Sequence, residues 1–138
     1  MMTSRPVSGP RAVVAGHAGF AVGIVSAVAK ISGKGDVFAT VTNEGLDARG
    51  VEETIRAALN AFGATVVFTD LPAGSCTMAA RRIARLDSTI SIVTGANVAM
   101  LLDFAMGPGI SDSDLARSAD RAREAIVAYR SSGGAGAA

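Results

Sequence analysis

The sequence predicts an α/β fold: a doubly wound, mainly parallel sheet of about four strands in the order 2-1-3-4, with helices on both faces. Two observations predict this fold. Short apolar runs rich in β-branched residues alternate along the chain with longer segments whose apolar residues recur at helical spacing. Turns containing glycine, asparagine or aspartate follow the runs. Such alternation produces parallel strands with right-handed crossovers, and 2-1-3-4 is a common doubly wound order.

Composition excludes several classes of function. The net charge is +1, only 18% of residues are charged, and aromatic residues make up 4% with no tryptophan. We therefore expect no nucleic-acid surface, either basic or base-stacking. The single cysteine cannot form an internal disulfide, which favours a reducing, cytoplasmic compartment. One histidine and one cysteine do not make a typical metal site, so we expect no metal or other cofactor.

The most apolar stretch, residues 12–29, has the composition of a membrane span, and Arg5 and Arg11 precede it as in a signal peptide. His17 and several glycines interrupt the stretch. A buried strand followed by a helix explains the same residues, so no membrane insertion is expected.

A single domain is expected between two irregular ends. Residues 1–10 are rich in proline and serine and predict a disordered lead, and the small residues 131–138 predict a flexible tail. Residues 11–130 remain as one domain, which is long enough to bury a sizeable core.

The domain begins with a strand at about residues 11–16, whose continuous apolar run suits burial on both faces. A helix follows at about residues 19–31 and ends at Gly33. His17, the only histidine, then lies between the carboxyl end of a strand and the amino end of a helix. Ligands bind at this edge of open α/β sheets, and the free N–H groups of a helix start favour a phosphate.

The rest of the domain continues the alternation. Further strands are predicted at residues 37–41, 64–69 and 89–93, and further helices at residues 47–62, 75–86 and 95–106. A last helix begins at Ser111, where Asp114 three residues later gives a pattern like a capping box. The predicted buried faces of the second and last helices are Val51, Ile55, Leu59 and Phe62, and Leu115, Ala119, Ala122, Ile126 and Tyr129.

Asp70 ends the third strand as His17 ends the first. In the order 2-1-3-4 these strands are neighbours about 5 Å apart, so the two side chains can meet at one edge. A carboxylate beside an imidazole fixes the tautomer of the ring, and the other ring nitrogen is then free to act as a nucleophile. Gly74 and Ser75, at the start of the next helix, are placed to hold an anion beside it.

Each of these residues also has a plainer interpretation. His17 taken alone can be a structural histidine, Asp70 an ordinary turn residue, and Ser75 a helix cap. Cys76 reads best as a small buried residue, and the arginines at positions 81, 82 and 85 as a solvated helix face.

Four segments together resemble a known family. They are Val13-Val14-Ala15-Gly16-His17-Ala18-Gly19-Phe20-Ala21-Val22-Gly23, Ile31-Ser32-Gly33, Phe68-Thr69-Asp70-Leu71-Pro72-Ala73-Gly74-Ser75, and Gly95-Ala96-Asn97 ahead of Met100-Leu101-Leu102. In this order and at this spacing, over about residues 11–106, they resemble the IIA component of the mannose-type family of the bacterial phosphoenolpyruvate-dependent sugar phosphotransferase system.

The resemblance implies a doubly wound domain that dimerises and carries a phosphoryl group on a histidine. That histidine receives the group from the phosphocarrier HPr and passes it to a IIB domain, for sugar uptake or for regulation. His17 matches the histidine and Asp70 matches the aspartate bonded to it. The residues expected to bind the phosphoryl group are Ala18, Gly19, Gly74 and Ser75.

The sequence departs from the family pattern at Ala18, where glycine is common, at Ala73, the first residue of a Gly-Gly-Ser segment, and at Cys76, usually proline. Some members have a fifth strand, exchanged between subunits, for which residues 131–138 have little propensity. The two alanines motivate a second hypothesis, a non-catalytic regulatory or binding domain of the same fold. A third is a small hydrolase with Ser75 or Cys76 as nucleophile, although the Gly-x-Ser-x-Gly elbow is missing.

The fourth helix is apolar over much of its circumference. A sheet takes up only one stripe of a helix, so Met100, Phe104 and Met106 are predicted to point away from the sheet. Large exposed apolar patches are rare on monomers. We therefore expect a homodimer with this helix at the interface.

Overall fold

A computed structural model describes residues 9–131. The predicted lead, apart from Gly9 and Pro10, and the predicted tail, apart from Ser131, lie outside the described residues. The strands are β1 (Ala12–Gly16), β2 (Phe38–Thr42), β3 (Val66–Thr69) and β4 (Ser91–Val93). The helices are α1 (Phe20–Ser32), α2 (Ala48–Phe62), α3 (Ser75–Leu86), α4 (Val98–Met106) and α5 (Asp112–Glu124).

The strands form one parallel sheet in the order β2-β1-β3-β4, which confirms the predicted fold class. Residues 12–29, the stretch with the composition of a membrane span, form β1 and most of α1. Within residues 9–131 every helix is too short or too polar to cross a membrane.

The ends of the helices follow local signals in the sequence. Gly33 and Gly63 end α1 and α2 in the left-handed conformation, with φ of 76° and 64°. Asp47 caps α2 by accepting the N–H of Gly50 at 2.8 Å. Ser111 and Asp114 form the predicted capping box of α5.

The two faces of the sheet carry separate cores. Helices α2 and α3 cover the face lined by Val13, Ala15 and Val67. Helices α1, α4 and α5 cover the opposite face, where the side chains of Phe38, Phe68 and Phe104 pack with ring centroids 5.0–6.2 Å apart. Because both faces are covered, β1 and β3 are fully buried, and the carboxyl edge of these central strands is where the fold class places a ligand.

The prediction that Met100 and Phe104 face away from the core is wrong. These two residues are 2% and 1% exposed, whereas Met106, at the end of the helix, is 64% exposed as predicted. Phe104 completes the aromatic cluster on the sheet, and α5 covers another side of α4, so this helix is buried on more than one stripe. Asp103 holds α5 in place by accepting from the buried hydroxyl of Ser118 at 2.7 Å and from Arg117.

Three predicted core residues are exposed. Phe62 is 43% exposed because it is the last residue of α2 before the Gly63 turn. Ile126 and Tyr129 are 77% and 67% exposed because α5 ends at Glu124, earlier than its apolar pattern predicts. Leu115 and Ala122 are buried as predicted.

Candidate functional site

His17 and Asp70 meet at the carboxyl edge of the sheet. Ala15 of β1 pairs with Thr69 of β3, so the turns after the two strands begin side by side. One carboxylate oxygen of Asp70, Oδ2, accepts both the backbone N–H of His17 at 2.9 Å and the ring nitrogen Nδ1 at 2.7 Å. The Asp70 side chain is 11% exposed, whereas the His17 side chain is 46% exposed. The carboxylate is therefore buried and fixed, and the imidazole is fixed but open to a partner.

Gly16, the last residue of β1, makes this approach possible. A Cβ atom on Gly16 would lie 3.0 Å from Oδ2 of Asp70 and 2.5 Å from the ring of Phe20. Any side chain at this position would force the carboxylate or Phe20 to move. The glycine before His17 is thus required by close packing.

The pKa of Asp70 lies below its ordinary value. Burial by itself raises this pKa, but the hydrogen bonds from the backbone and ring of His17, and the interaction with the charge of the imidazolium, together outweigh burial. Asp70 therefore stays ionised at neutral pH. An ionised Asp70 accepts the hydrogen on Nδ1, which leaves the lone pair of a neutral ring on Nε2.

A buried hydrogen-bond chain shapes the loop after Asp70. The hydroxyls of Thr69 and Thr77, both almost fully buried, lie 2.6 Å apart, and Thr77 also donates to the carbonyl of Leu71. This chain ties the loop to the first turn of α3. The first turn of α3 is thereby held against the His17 ring.

Gly74 is the contact between that turn and the imidazole. It caps α3 with φ of 150°, a conformation that other residues rarely adopt. A Cβ atom on Gly74 would lie 3.1 Å from Cε1 and 3.8 Å from Nε2 of His17. The free nitrogen of the ring therefore lies at the amino end of a 12-residue helix, where unpaired N–H groups favour an anion.

Replacing Gly74 by alanine should displace the His17 ring and lower any reaction at Nε2 by about 10- to 100-fold. Gly63→Ala is the control for a positive φ at a helix end without contact with the ring, because a Cβ atom added there would meet no atom within 4 Å. The backbone at Gly74, with φ of 150°, is the more strained of the two for alanine. Histidine NMR spectra and the activity of both variants provide the measurement. An unchanged His17 spectrum in Gly74→Ala would show that backbone strain alone, and not contact with the ring, explains Gly74.

Asn43, which the sequence pattern did not single out, joins the predicted residues to one another. It lies in the polar loop after β2, the strand paired with β1. Its Oδ1 accepts the N–H of Ala18 at 3.2 Å, and its Nδ2 donates to the hydroxyl of Ser75 at 2.9 Å. Thr42 donates to the carbonyl of Ala18 at 2.9 Å. The available signal was a polar loop at the carboxyl end of a strand adjacent to β1.

The predicted phosphate-binding residues differ in their surroundings. Gly74 and Ser75 begin α3 beside the ring, as expected. The N–H of Ala18 is engaged by Asn43, so its predicted role competes with an existing hydrogen bond. Gly19 precedes α1, and nothing lies within 4 Å of the place where its side chain would be.

Two residues of α3, the helix that begins beside the His17 ring, have structural roles. Cys76 is fully buried; burial and the negative charge of Asp70 raise the pKa of its thiol, although a hydrogen bond from Ser75 lowers it. A buried thiol with a raised pKa is a poor nucleophile, which counts against the hydrolase alternative. Arg82, predicted as solvated, instead donates from Nε to Glu52 at 2.7 Å and links α3 to α2.

The geometry supplies one chemically useful group, the Nε2 lone pair of His17. Asp70 orients the ring from one side, and the start of α3 offers N–H donors on the other. Within residues 9–131, no three histidine, cysteine, aspartate or glutamate side chains converge in a way that could hold a metal ion. Nucleophilic attack by Nε2 on an anionic electrophile is the reaction that this arrangement suits best.

A protein-family model described as "PTS system fructose IIA component" (EIIA-man) matches residues 11–123. The match covers the four strands and five α-helices described above, except the last residue of α5. No curated protein matches the chain.

Solved structures with the same fold share about a fifth of their residues with this chain. Phosphotransferase system component EIIA from Streptococcus agalactiae has a TM-score of 0.75 and 20% identity, covering 86% of this chain and 96% of its own. The mannose/sorbose specific IIA subunit from Enterococcus faecalis has a TM-score of 0.74 and 20% identity, covering 87% and 94%. The PTS IIA protein associated with the fucose utilization operon of Streptococcus pneumoniae has a TM-score of 0.70 and 21% identity, covering 83% and 91%.

Proposed function

The chain belongs to the EIIA-man family, the mannose-type IIA components of the phosphotransferase system, and from that premise we propose that His17 carries the phosphoryl group. HPr donates the group to Nε2 of His17, and a IIB domain receives it. The observation that supports this proposal most directly is the His17–Asp70 pair, in which a fixed ring presents Nε2 to the amino end of α3.

The transfer step follows from this geometry. The Nε2 lone pair forms the new N–P bond while the bond between phosphorus and HPr breaks, and the electron pair of that bond leaves with HPr. The ring keeps its Nδ1 hydrogen and becomes positively charged. Asp70 stabilises this charge through Oδ2, 2.7 Å from Nδ1. Transfer to IIB is the same displacement in reverse, with IIB supplying the attacking group.

Gly74 and Ser75 are proposed to bind the phosphoryl oxygens through the N–H groups of the α3 start and the Ser75 hydroxyl. Ala18 and Gly19 are proposed to contribute from the turn after β1, although binding by the N–H of Ala18 would compete with its hydrogen bond to Asn43. The alternative, a domain that kept this fold but lost transfer, is disfavoured by the intact His17–Asp70 pair, because a binding domain has no need of a fixed nucleophile.

Incubation with phosphoenolpyruvate, enzyme I and HPr tests the proposal. The protein should gain the mass of one phosphoryl group, and the adduct should be labile to acid. Omission of HPr is the control and should prevent the gain. Absence of the adduct when HPr is fully phosphorylated would favour the non-catalytic alternative, and turnover of an ester would favour the hydrolase.

The proposal includes a single functional domain at residues 11–130 that acts in the cytoplasm. The free, buried thiol of Cys76 favours a reducing compartment.

We also propose a homodimer, but with interface residues that differ from those predicted from the sequence. Met100 and Phe104 are buried within the chain, whereas Ile126 and Tyr129, in the segment after α5, are mostly exposed. A second copy covering this segment would remove their apolar surface from water. Sedimentation at micromolar concentration should show a dimer, and the double substitution Ile126→Asp, Tyr129→Asp should convert it to a monomer. A monomeric unmodified protein would contradict the prediction, and Val22→Asp on α1 is an exposed control.

A further inference from the structure

Ala18 adopts an unusual backbone conformation next to the reactive histidine. Its φ of 48° is the only positive value at a non-glycine residue within the described part of the chain. The left-handed conformation is unfavourable for a residue with a Cβ atom, and it persists only where surrounding contacts impose it. The contacts around Ala18 must therefore supply that constraint.

Two side chains, one at the end of β2 and one in the loop that follows it, hold both polar groups of Ala18. Thr42 Oγ1 donates to its carbonyl at 2.9 Å, and Asn43 Oδ1 accepts its N–H at 3.2 Å. The loop itself is anchored to β1, because the N–H of Asn43 donates to the carbonyl of Gly16 at 3.3 Å. The turn that carries His17 is thus held from outside, by residues 24 and 25 positions away in sequence.

The orientation of the Asn43 amide follows from this contact. A backbone N–H can only donate, so the amide oxygen must face Ala18 and the amide nitrogen must face Ser75. Nδ2 then donates to Ser75 Oγ at 2.9 Å. Because Asn43 supplies the hydrogen of that bond, Ser75 does not spend its own hydroxyl hydrogen on Asn43. That hydrogen is shared between the Cys76 thiol and any acceptor that enters the opening beside Nε2.

We propose that Asn43 is a positioning residue for the reaction of His17, and that Thr42 supports it through its hydrogen bond to the carbonyl of Ala18. Resting on the proposed function, the inference is that Asn43 joins the two halves of the phosphoryl site. On one side it stabilises the left-handed Ala18 turn that carries His17, and on the other it aims the Ser75 hydroxyl at the phosphoryl oxygens. Neither effect requires Asn43 to touch the phosphoryl group.

The first test measures how strongly Asn43 holds the N–H of Ala18, and it needs no phosphoryl donor. Amide hydrogen exchange at Ala18 should accelerate at least about tenfold in Asn43→Ala. It should stay unchanged in Asn60→Ala, an exposed asparagine near the far end of α2. Unchanged exchange at Ala18 in Asn43→Ala would overturn the proposal. This measurement is independent of HPr. It therefore distinguishes an error about the role of Asn43 from an error about the proposed function.

The second test is a double-mutant cycle that combines substitutions of Asn43 and Ala18. Asn43→Ala should slow phosphorylation of His17 by about 30-fold or more at saturating HPr, with the midpoint of thermal unfolding close to that of Asn60→Ala. Glycine accepts a left-handed conformation without penalty, so the loss should be at least about threefold smaller in an Ala18→Gly background. Thr42→Val, which removes the donor to the Ala18 carbonyl, should give a smaller loss that Ala18→Gly also reduces.

The outcomes of the cycle are decisive. An equal loss from Asn43→Ala in both backgrounds would overturn the role of Asn43 in holding the Ala18 turn. A wild-type phosphorylation rate in Asn43→Ala would overturn the proposal altogether. Asn43→Asp keeps the acceptor for Ala18 but loses the donor to Ser75 and adds negative charge, so it should restore slow exchange at Ala18 without restoring the rate.

Discussion

Replacing His17 by alanine should abolish phosphoryl uptake from HPr, a loss of at least about a thousandfold. His17 is the only histidine in the chain, so no second imidazole can accept the group. The fold should survive, because the side chain is 46% exposed and the β1–β3 pairing beneath it is made by backbone. Mass spectrometry of the protein after incubation with phosphorylated HPr provides the measurement.

Two controls make this result interpretable. Ser26→Ala changes an exposed residue on the outer side of α1 and should be phosphorylated at the wild-type rate. Thermal unfolding should show that His17→Ala and Ser26→Ala fold equally well. Acid-labile phosphorylation of His17→Ala would show that the group is carried elsewhere, and would remove His17 from the mechanism.

Replacing Asp70 by asparagine should lower the transfer rate by about 100-fold while preserving the geometry of the site. The backbone N–H of His17 donates to Oδ2, so the amide oxygen of the asparagine must take that position. The ring then still donates from Nδ1 to an oxygen and keeps its tautomer. What the substitution removes is the negative charge opposite the cationic phosphoimidazole. Rapid-quench kinetics measure the rate, and histidine NMR checks the tautomer.

Asp70→Ala is the companion variant, because it removes both the charge and the hydrogen-bond acceptor. It should reduce transfer further and should release the ring from its fixed tautomer. Equal rates in the wild type and in Asp70→Asn would show that the charge has no part in catalysis and that Asp70 only orients the ring.

The same variant should alter the acid dependence of stability. The pKa of Asp70 is lowered in the folded protein, so its contribution is present above its unfolded value, near 3.9, and is lost as pH falls through the lower folded value. The difference in unfolding free energy between the wild type and Asp70→Asn should therefore shrink below about pH 4. A difference that stays constant down to pH 2 would contradict the lowered pKa.

The sequence by itself determined the alternation of strands and helices and most helix ends. These features depend on local patterns: apolar runs for buried strands, and signals such as Asp47, Gly33 and Ser111 for helix ends, which act within a few residues of their position. The meeting of His17 and Asp70 was predicted from the common doubly wound order 2-1-3-4, which brings the ends of β1 and β3 together, and the sheet has that order.

Only the tertiary structure decided which side chains face one another across the fold. Periodicity shows that α4 is apolar, but it cannot show that α5 covers a second side of that helix and leaves Met100 buried. In the same way, nothing in a local pattern assigns Asn43 to the N–H of Ala18 and the hydroxyl of Ser75, which lie 25 and 32 positions away. Such contacts depend on how whole elements pack, because the energy of a hydrogen bond or a buried side chain is set by neighbours distant in sequence.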